Sequence, residues 1–191
     1  RQPVRIGIVG AGAIGGTYAW FLARAGHDVA LLDIRGDHVE AVRANGLVAL
    51  LPDGSEEAVQ VEIASAGAEL APAPIVMVAT KAYSTEDAAR GAAGLIGPET
   101  ILTTVQNGLG NDRALARVVG ESRVAPGSTT VAAEGRPPGK VLVGASVLGG
   151  HSHTVVGRPR GAASVPAAVG EFAAALSGAG LPAEVVESAD L

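Results

Sequence analysis

Six residues near the amino terminus restrict this chain more than any other feature. Gly10-Ala11-Gly12-Ala13-Ile14-Gly15 follows a short β-rich run at 4–9 and opens a stretch of helical composition at 14–25, which Gly26 closes. In a strand–turn–helix setting each glycine has a physical role. Gly10 permits the tight turn, Gly12 lets the backbone approach a bound group, and Gly15 lets the helix lie close to the strand. The start of the helix then offers unpaired N–H groups and a positive dipole end, a combination that suits phosphate. The pattern points to the pyrophosphate of a dinucleotide; a glycine-rich turn of some other α/β protein is the alternative.

The rest of the chain extends the same rhythm. A second strand is expected at 28–34, a helix at 37–45 closed by Asn45-Gly46, and a hairpin pairing 47–51 with 59–63 across Pro52-Asp53-Gly54. Residues 74–80 hold the continuous apolar run Ile75-Val76-Met77-Val78-Ala79, as expected of a strand covered on both faces. Ser84 and Asp87 are spaced as a variant capping box for the next helix. A strand at 101–106 and a helix reaching Val119, capped by Asn111 or Asp112, complete the alternation. Strands at 124–133, 140–148 and 154–157 follow, then a helix at 165–177 with Pro166 in its first turn and a last strand at 183–187. The expected fold is α/β, a Rossmann-like doubly wound sheet with an antiparallel strand extension. Residues 1–191 read as one dinucleotide-binding domain: a parallel βα core over 1–120, then an antiparallel extension plus helix over 121–191.

Composition excludes several alternatives. With 14 basic and 19 acidic side chains the net charge is −5, which argues against a nucleic-acid or anionic-membrane surface. The absence of cysteine removes thiol chemistry, disulfides and cysteine zinc sites, and fits a reducing compartment. Residues 6–23 carry no charge over 18 positions, close to the length of a membrane span, but five glycines interrupt their first eleven positions. The strand–turn–helix pattern explains this segment better than a span or a secretory signal does, so a cytoplasmic protein without membrane partners is expected. The chain begins at Arg1, so the numbering is expected to start inside a longer product.

Several side chains could carry chemistry at the ligand end of such a sheet. Asp33, at the end of the second strand, could accept hydrogen bonds from an adenosine ribose and so favour NAD. Arg35, two residues on, could instead hold a 2′-phosphate and favour NADP, or be a solvated loop charge. Lys81 follows the strand at 75–80 and could meet a ribose or an anionic substrate, or simply be exposed. Asn107, in Gln106-Asn107-Gly108, could offer its amide to nicotinamide or substrate, or form an Asn-Gly turn. His151 and His153 share a strand face but lack a visible third ligand, so no metal is expected. Surface or capping roles suffice for His27 and His38, Trp20 and Phe21 read as core, and no serine sits in a nucleophile elbow.

Together these segments resemble the ketopantoate reductase family (2-dehydropantoate 2-reductase and its paralogues). The resemblance rests on the glycine loop, Gly26-His27-Asp28-Val29, Arg35-Gly36-Asp37-His38, Asn45-Gly46-Leu47, Lys81-Ala82-Tyr83, Gln106-Asn107-Gly108-Leu109-Gly110 and Gly127-Ser128-Thr129-Thr130-Val131-Ala132-Ala133. It implies reduction of a 2-oxo acid with a nicotinamide cofactor, usually NADPH. It also implies that Lys81 is the active-site lysine near the cofactor, that Asn107 touches cofactor and substrate, and that Ala133 makes a backbone contact to the cofactor. The family's general acid, a second lysine, and its substrate-holding residues belong to a C-terminal helical domain, which is expected to be absent here, leaving the 191 residues inactive alone. Asp33-Ile34 before Arg35 departs from relatives with a basic residue directly after the second strand, and NAD against NADP stays open. A β-hydroxyacid dehydrogenase relative and a dinucleotide-sensing module without activity are the alternatives. The expected partner is a small 2-oxo acid, and the candidate assembly is a homodimer.

Overall fold

The expected alternation is present in the computed structural model, which describes residues 2–81, 84–106, 110–136 and 138–187. β1 (Arg5–Val9) leads through the glycine loop into α1 (Ala13–Arg24) and β2 (Asp28–Leu32), then α2 (Gly36–Asn45). β1 pairs in parallel with β2 on one side and with β6 (Ile75–Val78) on the other. The chain therefore reverses its winding direction at β1, and the carboxyl ends of β1 and β6 are the place where doubly wound sheets bind ligands. Beyond β6 come α3 (Thr85–Gly91), β7 (Ile101–Thr104), α4 (Asn111–Val119) and β8 (Val124–Thr129), with β7 and β8 continuing the parallel run. β11 (Thr154–Gly157) then pairs antiparallel with β8, and β12 (Ala183–Val186), reached through α6 (Ala167–Ala179), lies parallel to β11. The main sheet has the order β12-β11-β8-β7-β6-β1-β2-β5, with β5 (Glu62–Ala64) at its edge.

A second sheet forms over α1. It has the order β4-β3-β10-β9, where β3 is Leu47–Leu50, β4 Glu56–Val59, β9 Ala133–Arg136 and β10 Lys140–Val143. β3 and β10, some ninety residues apart in the chain, pair in parallel through Lys140–Val48, Val141–Ala49 and Leu142–Leu50. α1 is thus enclosed by a sheet on each side, and every residue from Gly15 to Leu22 is buried. That enclosure accounts for the uncharged run from β1 into α1: a strand covered on both faces leads into a helix covered all round. Trp20 and Phe21 stand edge to face with ring centroids 5.0 Å apart, and the Trp20 indole N–H donates to the Glu57 carbonyl on β4 at 3.0 Å. No helix among the described residues is long and apolar enough to cross a membrane.

Several local expectations are corrected. The hairpin returns at once, because Leu51 N–H bonds Ser55 O and Asp53 caps Ser55. Its second strand is therefore β4 rather than 59–63, and Glu62–Ala64 joins β2 in the main sheet instead. The expected strand at 124–133 is two strands: β8 leaves the main sheet after Thr129 so that β9 can enter the second. The one at 140–148 ends at Val143, where Gly144 begins the short helix α5 (Ala145–Leu148). No capping box forms at Ser84, whose hydroxyl donates to the Lys81 carbonyl at 2.9 Å. α4 starts at Asn111 after Gly110, whose φ of +93° favours glycine, and Pro166 precedes the first turn of α6 rather than lying in it.

Candidate dinucleotide site

The glycines of the loop divide by what a side chain would meet. Gly10 has φ +95°, and a β-carbon there would press on the Ala79 backbone at 3.1 Å. At Gly15 a β-carbon would collide with the Gly10 carbonyl oxygen, and at Gly16 it would lie 2.6 Å from Val141 Cγ1 on β10. These three positions let α1 lie tightly between its two sheets. Gly12 is different. A β-carbon there meets nothing within 4 Å, and its φ of −78° suits any residue. The space beside Gly12 is open, and it lies at the N-terminus of a twelve-residue helix whose first turn carries no acidic side chain. Ala13 opens that helix, and Ile14 packs half-buried against the core.

Ala11 joins this loop to the end of β2. Its N–H donates to Asp33 Oδ2 at 2.8 Å. Arg35 turns back on the same carboxylate: its N–H and Nε reach Oδ1, both at 2.9 Å, and Nη2 reaches Oδ2 at 2.7 Å. Asp33 is 6% exposed. Burial alone would raise its pKa, but the hydrogen bonds from Arg35 and Ala11 and the guanidinium charge outweigh that and hold it below the ordinary value. The Arg35 side chain stays 41% exposed. The two residues that compete as cofactor determinants in the sequence form one unit, with a saturated carboxylate beneath and a guanidinium facing out.

Lys81 lies three residues beyond β6, exposed, with its carbonyl accepting from Ser84 N–H. Beside it, at the carboxyl end of β7, Gln106 Oε1 lies 2.9 Å from both Thr85 Oγ1 and Thr104 Oγ1, so its amide is oriented by two hydroxyls. Gln106 Nε2 and Thr80 Oγ1 are buried without hydrogen-bond partners among the described residues. Asn107 lies outside the described residues. Ala133 begins β9, and Gly135, two residues on and on the same face, would place a β-carbon 3.5 Å from Ala13 N. β9 therefore runs alongside the start of α1. His151 and His153 are exposed, and the nearest acid to His153 is Glu184, 3.9 Å from its Nε2.

His38 departs most from expectation. Rather than lying at the surface or capping, it is 1% exposed and accepts a hydrogen bond at Nδ1 from Gly139 N–H at 2.9 Å. The available signal was its spacing: His38 and Val42 are four apart and share the buried face of α2. No sequence signal marks the Thr85–Gln106–Thr104 cluster, because it joins the start of α3 to the end of β7.

Comparison with known proteins agrees with this arrangement. Residues 6–161 match the sequence profile of the family described as ketopantoate reductase PanE/ApbA. The chain belongs to the ketopantoate reductase family. The 2-dehydropantoate 2-reductase of Halobacterium salinarum is 35% identical over 185 residues, 97% of this chain and 58% of that protein. Its counterpart in Mesorhizobium japonicum is 42% identical over 106 residues, 56% of this chain and 32% of that protein. The chain thus spans less than two thirds of the length of these relatives. Among solved structures, a PanE/ApbA family ketopantoate reductase from Ralstonia eutropha superposes with a TM-score of 0.80 at 30% identity, over 97% of this chain and 57% of that one. D-mandelate dehydrogenase with NADH and anilino(oxo)acetate superposes at 0.84 and 25% identity, over 96% and 57%.

Proposed function

We propose that this chain is the cofactor-binding part of an NADPH-dependent 2-oxo-acid reductase whose substrate is 2-dehydropantoate. The observation that carries the reading is the bond from Ala11 N–H to Asp33, which ties the open glycine loop to the Asp33–Arg35 fork. The residues present suit a dinucleotide. The free N–H groups and positive end of α1 would meet the pyrophosphate, with Gly12 leaving room for it. Arg35, exposed and held in a fixed orientation by Asp33, would take the 2′-phosphate; Asp33 has its acceptor positions filled and is the weaker candidate for ribose contact. Lys81, Asn107 and the Ala133 backbone would line the nicotinamide end. When bound, a reduced nicotinamide supplies the hydride that a 2-oxo acid needs at its ketone carbon. Lys81 there would hold the substrate's charge close to the cofactor by attraction to its carboxylate or oxyanion. Protonation of the ketone oxygen is assigned to a lysine of the family's helical domain.

The solved D-mandelate dehydrogenase complex holds NADH, which makes NADH the competing cofactor. Calorimetric titration with NADPH and NADH separates the two. NADPH is expected to bind more tightly, and Arg35→Ala to weaken NADPH about tenfold while leaving NADH unchanged, the loss of one charge-assisted contact. Unchanged NADPH affinity in Arg35→Ala would remove the phosphate role from Arg35. Turnover of 2-dehydropantoate by the 191 residues alone, followed by loss of NADPH absorbance, would overturn the assigned division of labour.

A further inference from the structure

His38 is a buried titratable group that the proposed reaction does not use, and its ring lies between the glycine loop and the turn that joins β9 to β10. Gly139 N–H, in the turn between β9 and β10, donates to Nδ1. Nδ1 therefore carries a lone pair, which leaves the proton of the neutral ring on Nε2, a buried atom on the side of the Ala11 backbone. The turn itself is tightly seated. Gly139 has φ +74°, a β-carbon on it would lie 3.0 Å from Ala41 Cβ of α2, and its carbonyl accepts from Val48 N–H of β3. The charges that act on the ring are those of Arg35 and Asp33 from the loop after β2 and Asp37 from α2, while the glycine loop presents the Ala11 backbone and the turn presents the Gly139 amide.

We infer that His38 is a positioning residue of the dinucleotide site, a neutral imidazole that seats the Asp33–Arg35 fork beside the glycine loop and ties that corner to the second sheet through Gly139. The inference rests on the dinucleotide reading above. A proton added at Nδ1 would set N–H against the Gly139 N–H and place a cation beside Arg35. The corner would open where the adenosine end of the ligand is proposed to lie. Burial and the Arg35 charge push the His38 pKa down, against the opposing pull of Asp33, Asp37 and the Ala11 backbone, so the ring is neutral at neutral pH. The release falls on the acid side of the ordinary histidine range.

The test is NADP⁺ affinity by calorimetry from about pH 5 to pH 8 for wild type, His38→Asn and His38→Phe. Asparagine keeps an acceptor near the place of Nδ1 and does not titrate; phenylalanine leaves Gly139 N–H unpaired. The titration of the ligand's own phosphate is common to all three, so differences between the curves belong to His38. His38→Asn is expected to match wild type at pH 7.5 and to lose about tenfold less affinity than wild type on going to pH 5. His38→Phe is expected to bind about tenfold more weakly at every pH, with Trp20 fluorescence reporting a native core. A His38→Asn profile parallel to wild type, or His38→Phe binding as wild type at pH 7.5, overturns the positioning role. Should His38→Phe fail to fold, the His38→Asn profile still decides. Wild type that binds no NADP⁺ at any pH defeats the dinucleotide reading itself, and this inference with it.

Discussion

One methyl group separates two uses of glycine in the same loop. A β-carbon at Gly15 collides with backbone, whereas at Gly12 it enters open space at a φ that alanine adopts freely. Gly12→Ala is therefore expected to keep the wild-type melting temperature within about a degree and to lose NADPH affinity at least about tenfold, since the methyl fills the proposed pyrophosphate seat. Gly15→Ala is expected to cost roughly 2–4 kcal/mol of stability, because α1 must shift away from the strand. Thermal unfolding beside calorimetry measures both; a destabilised Gly12→Ala with intact binding would reverse the assignment. The close packing at Gly15 was legible in the sequence because it follows from the motif's local geometry. The need at Gly16 was not, since its neighbour Val141 comes from a sheet assembled 125 residues later. Asp33 and Arg35 appear in sequence as competing determinants, and only the turn that folds Arg35 back on Asp33 makes them one unit.

Elements built from local pattern were the most legible, and those depending on distant partners the least. β1, α1, β2, α2 and β6 appear within one to three residues of their expected limits, because apolar runs and glycine stops are local signals. The second sheet was not visible as a sheet. β3 looks like half of a hairpin until β10 pairs with its other edge, and nothing near residue 48 specifies Lys140 as its partner. The enclosure of α1 that results has a measurable consequence inside the helix. Tyr18 is fully buried, with its hydroxyl 2.9 Å from Thr129 Oγ1 on β8 and 2.6 Å from Thr154 Oγ1 on β11. Tyr18→Phe removes one oxygen and leaves two threonine hydroxyls short of a partner, so a loss of about 1–2 kcal/mol is expected in urea unfolding. A loss below about 0.3 kcal/mol, within the noise of such measurements, would mean that the two threonines repair each other, as their 3.2 Å separation allows.

At the scale of the whole molecule, α1 and the His38 corner couple the two sheets, so loss of either sheet should expose the same core. Trp20 lies in that core against β4 and is the only tryptophan, which makes its fluorescence a reporter of global unfolding. Acidification acts on this unit in two windows. His27, part-buried with Nδ1 accepting from Val4 N–H, and His38 both have pKa values lowered chiefly by burial from an ordinary 6.5. As pH falls below 6.5 the unfolded chain takes up these protons before the folded one does, so stability present at pH 7 to 8 declines. The slope for His38 is at most about 1.4 kcal/mol per pH unit, the value for one proton. Asp33 acts lower. Its folded pKa is depressed below an ordinary 3.8, so the stability it contributes is present above that pH and is lost as pH falls through the folded value. The urea midpoint read from Trp20 is therefore expected to be flat from about pH 8 to 7, to fall toward pH 5, and to fall again below pH 4. His38→Asn should remove part of the first decline and leave the second, while Asp33→Asn should do the reverse. A midpoint constant from pH 7.5 to 5 would show that both imidazoles ionise as easily inside the fold as outside it, and that the His38 corner opens without cost to the sheets it joins.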